Sequence, residues 1–277
     1  MLATLMTGSR RIQDRFAKLT QQGRKGFVAY ITAGDPSPDA TKGILNALAD
    51  AEVDVIELGI PFSDPLADGP TIQAASGRAL AAGMTVRKAL DLVHDFRATH
   101  DTPLVLFTYL NPVFAYGFPR FLQDATEAGA DGLLILDLPP EEAIQNQDLA
   151  TLGGLNSIRL ISPTTPPTRM GDICSEATGF IYYVSREGVT GEQAELSDSI
   201  ASQVAEIKKH TNVPVAVGFG ISSPAQVSTV VAASDAAVVG SAIVRFIAEN
   251  ATQPDLAKRV ETFVRPLVEA AHSAPVA

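Results

Sequence analysis

Apolar positions along this chain fall into two alternating patterns. Short, nearly continuous apolar runs have the character of buried parallel strands, and longer stretches between them place apolar residues three and four apart, as one face of a helix does. The runs are Phe27–Ile31, Val53–Glu57, Pro103–Phe107, Gly132–Leu136, Ser157–Ile161, Phe180–Val184, Val213–Val217 and Ala236–Val239. Helical patterns occupy Asp39–Ala51, Thr71–Ala81 with Thr85–Thr99, Pro119–Ala128, Glu141–Thr151, Pro167–Glu176, Ser197–His210, Pro224–Val231 and Asp255–Ala271. One more, Ser9–Gly23, precedes the first strand, with Ile12, Phe16 and Leu19 on one face and a glycine at its end. Three junctions resemble one another, AEVDVIEL, AGADGLLIL and AASDAAVVG: each is a helix end that turns through an Asp into a hydrophobic strand.

Strands that alternate with helices form parallel βαβ units, and eight such units in 277 residues predict a (β/α)8 TIM barrel with an extra N-terminal helix. An open doubly wound sheet is the alternative. It would carry fewer strands and a glycine-rich first turn, whereas the turn here reads Ala33-Gly34-Asp35-Pro36. No Pro/Ser-rich or charged linker divides the chain, so one domain over residues 1–277 is expected.

Composition narrows the partners. Hydrophobic residues make up 46% of the chain, ample for a core, and the formal charge of −10 argues against nucleic acid or an anionic membrane surface. A phosphorylated substrate stays open, because backbone N–H groups can hold a phosphate locally. Cys174 is the sole cysteine, which leaves no intrachain disulfide and no thiolate metal cage. His94, His100, His210 and His272 lack close metal-ligand spacing, so no metal site is expected. No apolar run approaches the ~18–20 residues of a membrane helix. The start, MLATLMTGSRR, is too quickly polar for a signal peptide, and the expectation is a soluble, cytoplasmic protein.

Candidate chemistry concentrates in Val53–Ile72, VDVIELGIPFSDPLADGPTI. Glu57 ends the apolar run, and Gly59, Pro61, Pro65, Gly69 and Pro70 then force a shaped loop that carries Asp64 and Asp68. Carboxylates at a buried strand end suit proton transfer; the competing reading is a strand-end residue followed by turn and cap aspartates. Active sites of barrels lie at the carboxyl ends of the strands. There the chain places Tyr30 and Thr32, Glu57 and Asp68, Tyr109 and Asn111, Asp137, Ser162 to Thr164, and Tyr182. Gly218-Phe219-Gly220 and Gly240-Ser241 follow the last two strands, where such barrels often hold a phosphate, and Ser241 opens a helical stretch with free N–H groups. The polar segment Ser185–Gly191 has the look of a mobile lid or of an ordinary flexible loop.

Taken together, YITAGDP (30–36), ELGIPFSDPLADGPTIQ (57–73), DLPPEE (137–142), SREGVTG (185–191), GFGIS (218–222) and GSAIV (240–244) resemble the tryptophan synthase α-subunit family, in the family's order. The resemblance implies retro-aldol cleavage of indole-3-glycerol phosphate to indole and glyceraldehyde 3-phosphate. It implies that Glu57 is the general acid/base at the indole C3 carbon and that Asp68 accepts the hydrogen bond of the indole N–H. Tyr30, Tyr109, Tyr182 and Thr190 would contact the substrate, with Thr190 meeting Asp68, and Gly191, Gly220, Gly240 and Ser241 would hold the phosphate. It further implies a β-subunit partner in an α2β2 assembly. Pyridoxal phosphate would belong to that partner, none to this chain, and Pro61–Pro65 and Asp137–Pro140 would face it.

Overall fold

The computed structural model describes residues 10–139, 141–142, 152–185, 193–218 and 220–274. Nine parallel strands form one sheet in the order β5-β4-β3-β2-β1-β9-β8-β7-β6. They are β1 (Gly26–Thr32), β2 (Val55–Gly59), β3 (Leu104–Thr108), β4 (Gly132–Ile135), β5 (Asn156–Ser157), β6 (Arg159–Ile161), β7 (Ile181–Val184), β8 (Val215–Gly218) and β9 (Ala236–Val239). The expected fifth strand is thus two segments, interrupted at Ile158. The Ser157 N–H turns to the Thr178 hydroxyl at 2.8 Å and Thr178 N–H donates back to Ser157 O, while Ile158 N–H still reaches Leu133 O at 3.1 Å. Pairing is handed from β4 to β7 within one residue, and the barrel is nearly closed.

The strands are buried on both faces because two apolar layers meet there. Val28, Val55, Val105, Leu134, Ile158, Phe180, Ala216 and Val238 fill the barrel, and Ile12, Phe16 and Leu19 of the helix Arg11–Gln21 pack against the same cluster. The spacing seen in the sequence therefore makes that helix a plug. The outward residues, such as Phe27, Ile31, Ile56 and Leu106, pack against the surrounding helices. Several of those helices begin where the chain supplies a cap: Ser37 accepts from Ala40 N–H, Thr85 from Lys88 N–H, and Ser223 makes a capping box with Gln226.

The three matching junctions share one geometry. Asp54, Asp131 and Asp235 each accept a hydrogen bond from the first residues of the adjacent strand, from Phe27 N–H at 2.7 Å, Leu104 N–H at 2.8 Å and Val215 N–H at 2.7 Å. Each aspartate's own N–H donates back to the carbonyl of that same residue. These carboxylate clasps fix register at the amino end of the barrel. Arg15 compensates the charge of Asp54, which also meets His272 Nε2 at 3.0 Å; Arg11 and Arg97 compensate that of Asp131, and Lys208 that of Asp235.

Two sequence expectations need correction at the carboxyl end. Glu57 does not end its strand: it is the central residue of β2, because Leu58 and Gly59 still pair with β1 and β3, and the ladder stops only before Pro61. After β3 the chain forms the helix Leu110–Tyr116, a stretch to which the sequence pattern assigned no helix. Pro112 lies in its first turn, where a missing N–H breaks no helical bond. Of the expected helix Glu141–Thr151 only Glu141 and Glu142 are described, and of Ser185–Gly191 only Ser185. Among the described residues no helix is long and apolar enough to cross a membrane, and no cluster of three or more His, Cys, Asp or Glu could hold a metal ion.

Candidate active site

Alternation along the strands decides which side chains enter the barrel. Tyr30 and Glu57 are register partners on β1 and β2, and Glu57 also faces Val105 of β3, a residue of the barrel interior. Glu57 is 0% exposed, and among the described residues neither carboxyl oxygen has a hydrogen-bond partner. Burial alone pushes its carboxyl up to about 8, so it is neutral near pH 7.

Above it lies a cavity of about 180 Å³ at the carboxyl ends of the strands, lined by Tyr30, Asp68, Phe107, Tyr182, Gly220, Gly240 and Ser241 among others. Glu57 is not in its walls; it lies beneath them, close enough that its ionised form would act on both Tyr30 and Tyr182. A larger, open cavity of about 470 Å³ lies at the other end of the barrel, between Arg11, Arg15, Glu52 and Asp101. Of its charged lining residues, Arg11, Arg15 and Asp101 are engaged in ion pairs.

The two tyrosines are seated by glycines. A Cβ on Gly59 would overlap the Tyr30 hydroxyl, and one on Gly218 would lie 2.5 Å from that of Tyr182. Tyr30 also meets Phe107 edge-on, with centroids 5.1 Å apart. Burial first, then the nearby carboxylates, raise both phenols, so they remain neutral donors.

Asp68 occupies the opposite wall, on the loop before the helix Pro70–Ala81. Tyr109 stands behind it: its hydroxyl donates to Asp68 Oδ2 at 3.1 Å and accepts from Ala67 N–H at 3.0 Å, while its ring packs on Phe62. Burial raises the Asp68 carboxyl to about 6, and the Tyr109 hydrogen bond pulls it back down in part. One carboxyl is thus neutral and the other mainly ionised at pH 7, a division of acid and anion set by environment.

At the third side Ser241 begins the helix Ser241–Glu249, whose N-cap is Gly240 with no capping side chain. Its first N–H groups are available to an anion at the cavity edge. Gly220 adopts φ +61°, and a Cβ on Gly240 would press on Tyr30 Cβ at 3.3 Å. Tyr30, Asp68, Tyr182, Gly220, Gly240 and Ser241 are therefore brought together, with Glu57 as floor and Tyr109 as support. Thr190 and Gly191 lie outside the described residues. Sequence reasoning passed over Phe107 and Ile72 as cavity walls. The signal was there in part: Phe107 is two residues beyond inward-facing Val105, and Ile72 is in the first helical turn after Asp68.

With this geometry in hand, similarity to known proteins is informative. The family model described as "Tryptophan synthase alpha chain" matches residues 16–272. A relative of that description from Geobacter sulfurreducens is 48% identical over 260 residues, covering 94% of this chain and 98% of the relative. One from Citrifermentans bemidjiense is 46% identical over 257 residues, covering 93% and 96%. The crystal structure of tryptophan synthase subunit alpha from Legionella pneumophila superposes with a TM-score of 0.86 at 39% identity, over 94% of this chain and 98% of the other. A chain of Mycobacterium tuberculosis tryptophan synthase superposes at 0.84 with 31% identity, over 95% and 99%.

Proposed function

The chain belongs to the tryptophan synthase alpha chain family and is a lyase that cleaves indole-3-glycerol phosphate to indole and glyceraldehyde 3-phosphate; from that premise we propose which residues carry the reaction. Glu57 begins as a neutral acid and gives its proton to the indole C3 carbon. The ring becomes cationic, and Asp68, ionised, accepts the hydrogen bond of the ring N–H and stabilises that charge. Glu57, now a carboxylate, takes the proton of the hydroxyl on the carbon attached to C3. The bond between that carbon and C3 breaks, its electrons return to the ring, and the side chain leaves as the aldehyde. Glu57 ends protonated, as it began, so the proton balance closes.

The remaining residues bind. Tyr30 and Tyr182 frame the ring with their neutral phenols, and Tyr109 supports Asp68. Gly220, Gly240 and Ser241 offer backbone N–H groups to the phosphate, and Thr190 and Gly191 take the roles that membership of the family implies. The observation that carries this reading is a buried carboxyl raised to about 8, without a hydrogen-bond partner among the described residues, beneath a cavity whose wall holds a second carboxyl raised only to about 6. On the strength of family membership we assign pyridoxal phosphate to a β-subunit partner, in an α2β2 assembly within the cytoplasm, with this chain acting as one domain. Leu66, 90% exposed on the loop after β2, and Phe114, 55% exposed on the helix after β3, suit the face of that assembly.

The test is direct release of indole from indole-3-glycerol phosphate. Glu57→Gln is expected to lower turnover by about 10²–10⁴-fold, because the amide cannot relay a proton. Asp68→Asn should lower kcat with modest change in KM, since the amide lacks the negative charge. Near-normal kcat in either variant removes that residue from the reaction.

A further inference from the structure

Asp35, in the turn after β1, is 3% exposed and has no part in the reaction as derived above. Its carboxylate accepts both arms of one guanidinium, Arg78 Nε to Oδ1 at 2.7 Å and Nη2 to Oδ2 at 2.9 Å. The turn is itself held tightly. Ala33 N–H donates to Gly59 O at 2.8 Å, Asp35 N–H to Thr32 O at 3.2 Å, and Gly34 N–H to the Thr41 hydroxyl at 2.9 Å. Asp35 is therefore fixed against the carboxyl ends of β1 and β2, the strands that bear Tyr30 and Glu57.

Arg78 belongs to the last turn of the helix Pro70–Ala81, whose first turn supplies Ile72 to the cavity. Gln73, also in that helix, donates from Nε2 to Asp68 O at 2.8 Å and so ties the Asp68 loop to it. The helix otherwise meets the site through Ile72 and Ala75 in a cluster with Tyr30 and Val244. Apolar contacts of that kind hold a helix close without fixing how far it slides or turns. A two-armed guanidinium–carboxylate pair does fix it, because the fork has one geometry.

We propose that the Asp35–Arg78 pair is a positioning device, locking the helix Pro70–Ala81 to the ends of β1 and β2 and so holding Asp68 at its working distance from Tyr30 and Glu57. The proposal rests on the reading of Asp68 given above. Displacement by on the order of 1 Å can cost about 10²-fold in rate, so the pair acts on turnover from outside the cavity.

A double-mutant cycle tests it, with kcat and KM for indole-3-glycerol phosphate measured on wild type, Arg78→Gln, Asp68→Asn and the double variant. Arg78→Gln is expected to lower kcat by about 10–100-fold with a smaller change in KM. In the Asp68→Asn background the same substitution should lower kcat by less than about threefold, because the group being positioned has already lost its charge. Arg78→Lys, which keeps the charge but not the two-armed fork, should recover part of the loss. If Arg78→Gln does not fold, Arg78→Lys runs the same cycle. An equal factor in both backgrounds, or wild-type kcat without the guanidinium, overturns the inference. Wild-type kcat in Asp68→Asn alone overturns the earlier reading, and it is seen before the pair is touched.

Discussion

Replacing Glu57 by Gln should make the protein inactive and, as pH rises, progressively more stable relative to wild type. The carboxyl moves from 4.5 to about 8 on folding, entirely through burial. The folded state thus binds a proton that the unfolded chain releases once pH exceeds about 4.5, and stability falls as pH rises through that window. Each unit of separation is worth about 1.4 kcal/mol. Glu57 therefore costs the fold roughly 3 kcal/mol at pH 7 and roughly 5 kcal/mol above pH 8, where its charge is buried outright. The amide carries no such dependence. It pays its own penalty for unpartnered burial, about 1–3 kcal/mol, but pays it equally at every pH, so the curve is displaced without being tilted. Urea unfolding of both proteins from about pH 5 to about pH 9 measures the difference. Its expected course is a climb of about 1.4 kcal/mol per pH unit up to about pH 8, then a plateau. A difference that stays flat across the range, or that shrinks with pH, means Glu57 is ionised in the folded protein, and the neutral-acid mechanism fails.

Turnover should follow a bell, falling below about pH 6 as Asp68 is protonated and above about pH 8 as Glu57 ionises; a kcat constant from pH 5 to 9 contradicts both assignments. Tyr109→Phe removes the donor that lowers the Asp68 carboxyl, so the acid limb of that profile should move to higher pH while the basic limb stays. An unmoved acid limb leaves Tyr109 without influence on Asp68. Asp54→Ala should cost about 3–5 kcal/mol in urea unfolding, since it strips partners from Arg15, His272 and Phe27 N–H, yet leave the kcat of the folded fraction near wild type. A loss below 1 kcal/mol would deny the clasp its structural role.

The barrel was legible because its strands are buried on both faces and read as unbroken apolar runs, Ala236–Val239 to the residue. What escaped depends on contacts far apart in sequence. Nothing local in Ser157-Ile158-Arg159 announces that Thr178 will divert the strand there. Glu57 was expected at a strand end because glycine and proline follow; Gly59 instead stays in the ladder, bare enough to seat the ring of Tyr30. The helix Leu110–Tyr116 was hidden by an Asn-Pro pair that usually signals a turn. Glu57 stands out as a charge closing an apolar run, whereas Asp68 shares its loop with Asp64 and is set apart only by the family resemblance. The support of Asp68 by Tyr109 spans 41 residues and could not be read from the sequence.

The carboxylate clasps have a consequence for how such a protein can change. They set strand alignment at Asp54, Asp131 and Asp235, at the rim away from the cavity. The loops on the reactive rim are thereby relieved of holding the strands in step, so their lengths and sequences can drift with the chemistry while the cylinder beneath keeps its form. A chain built this way is robust at one end and inventive at the other, and a graft of foreign loops onto the reactive rim should fold as long as the three aspartates are left in place.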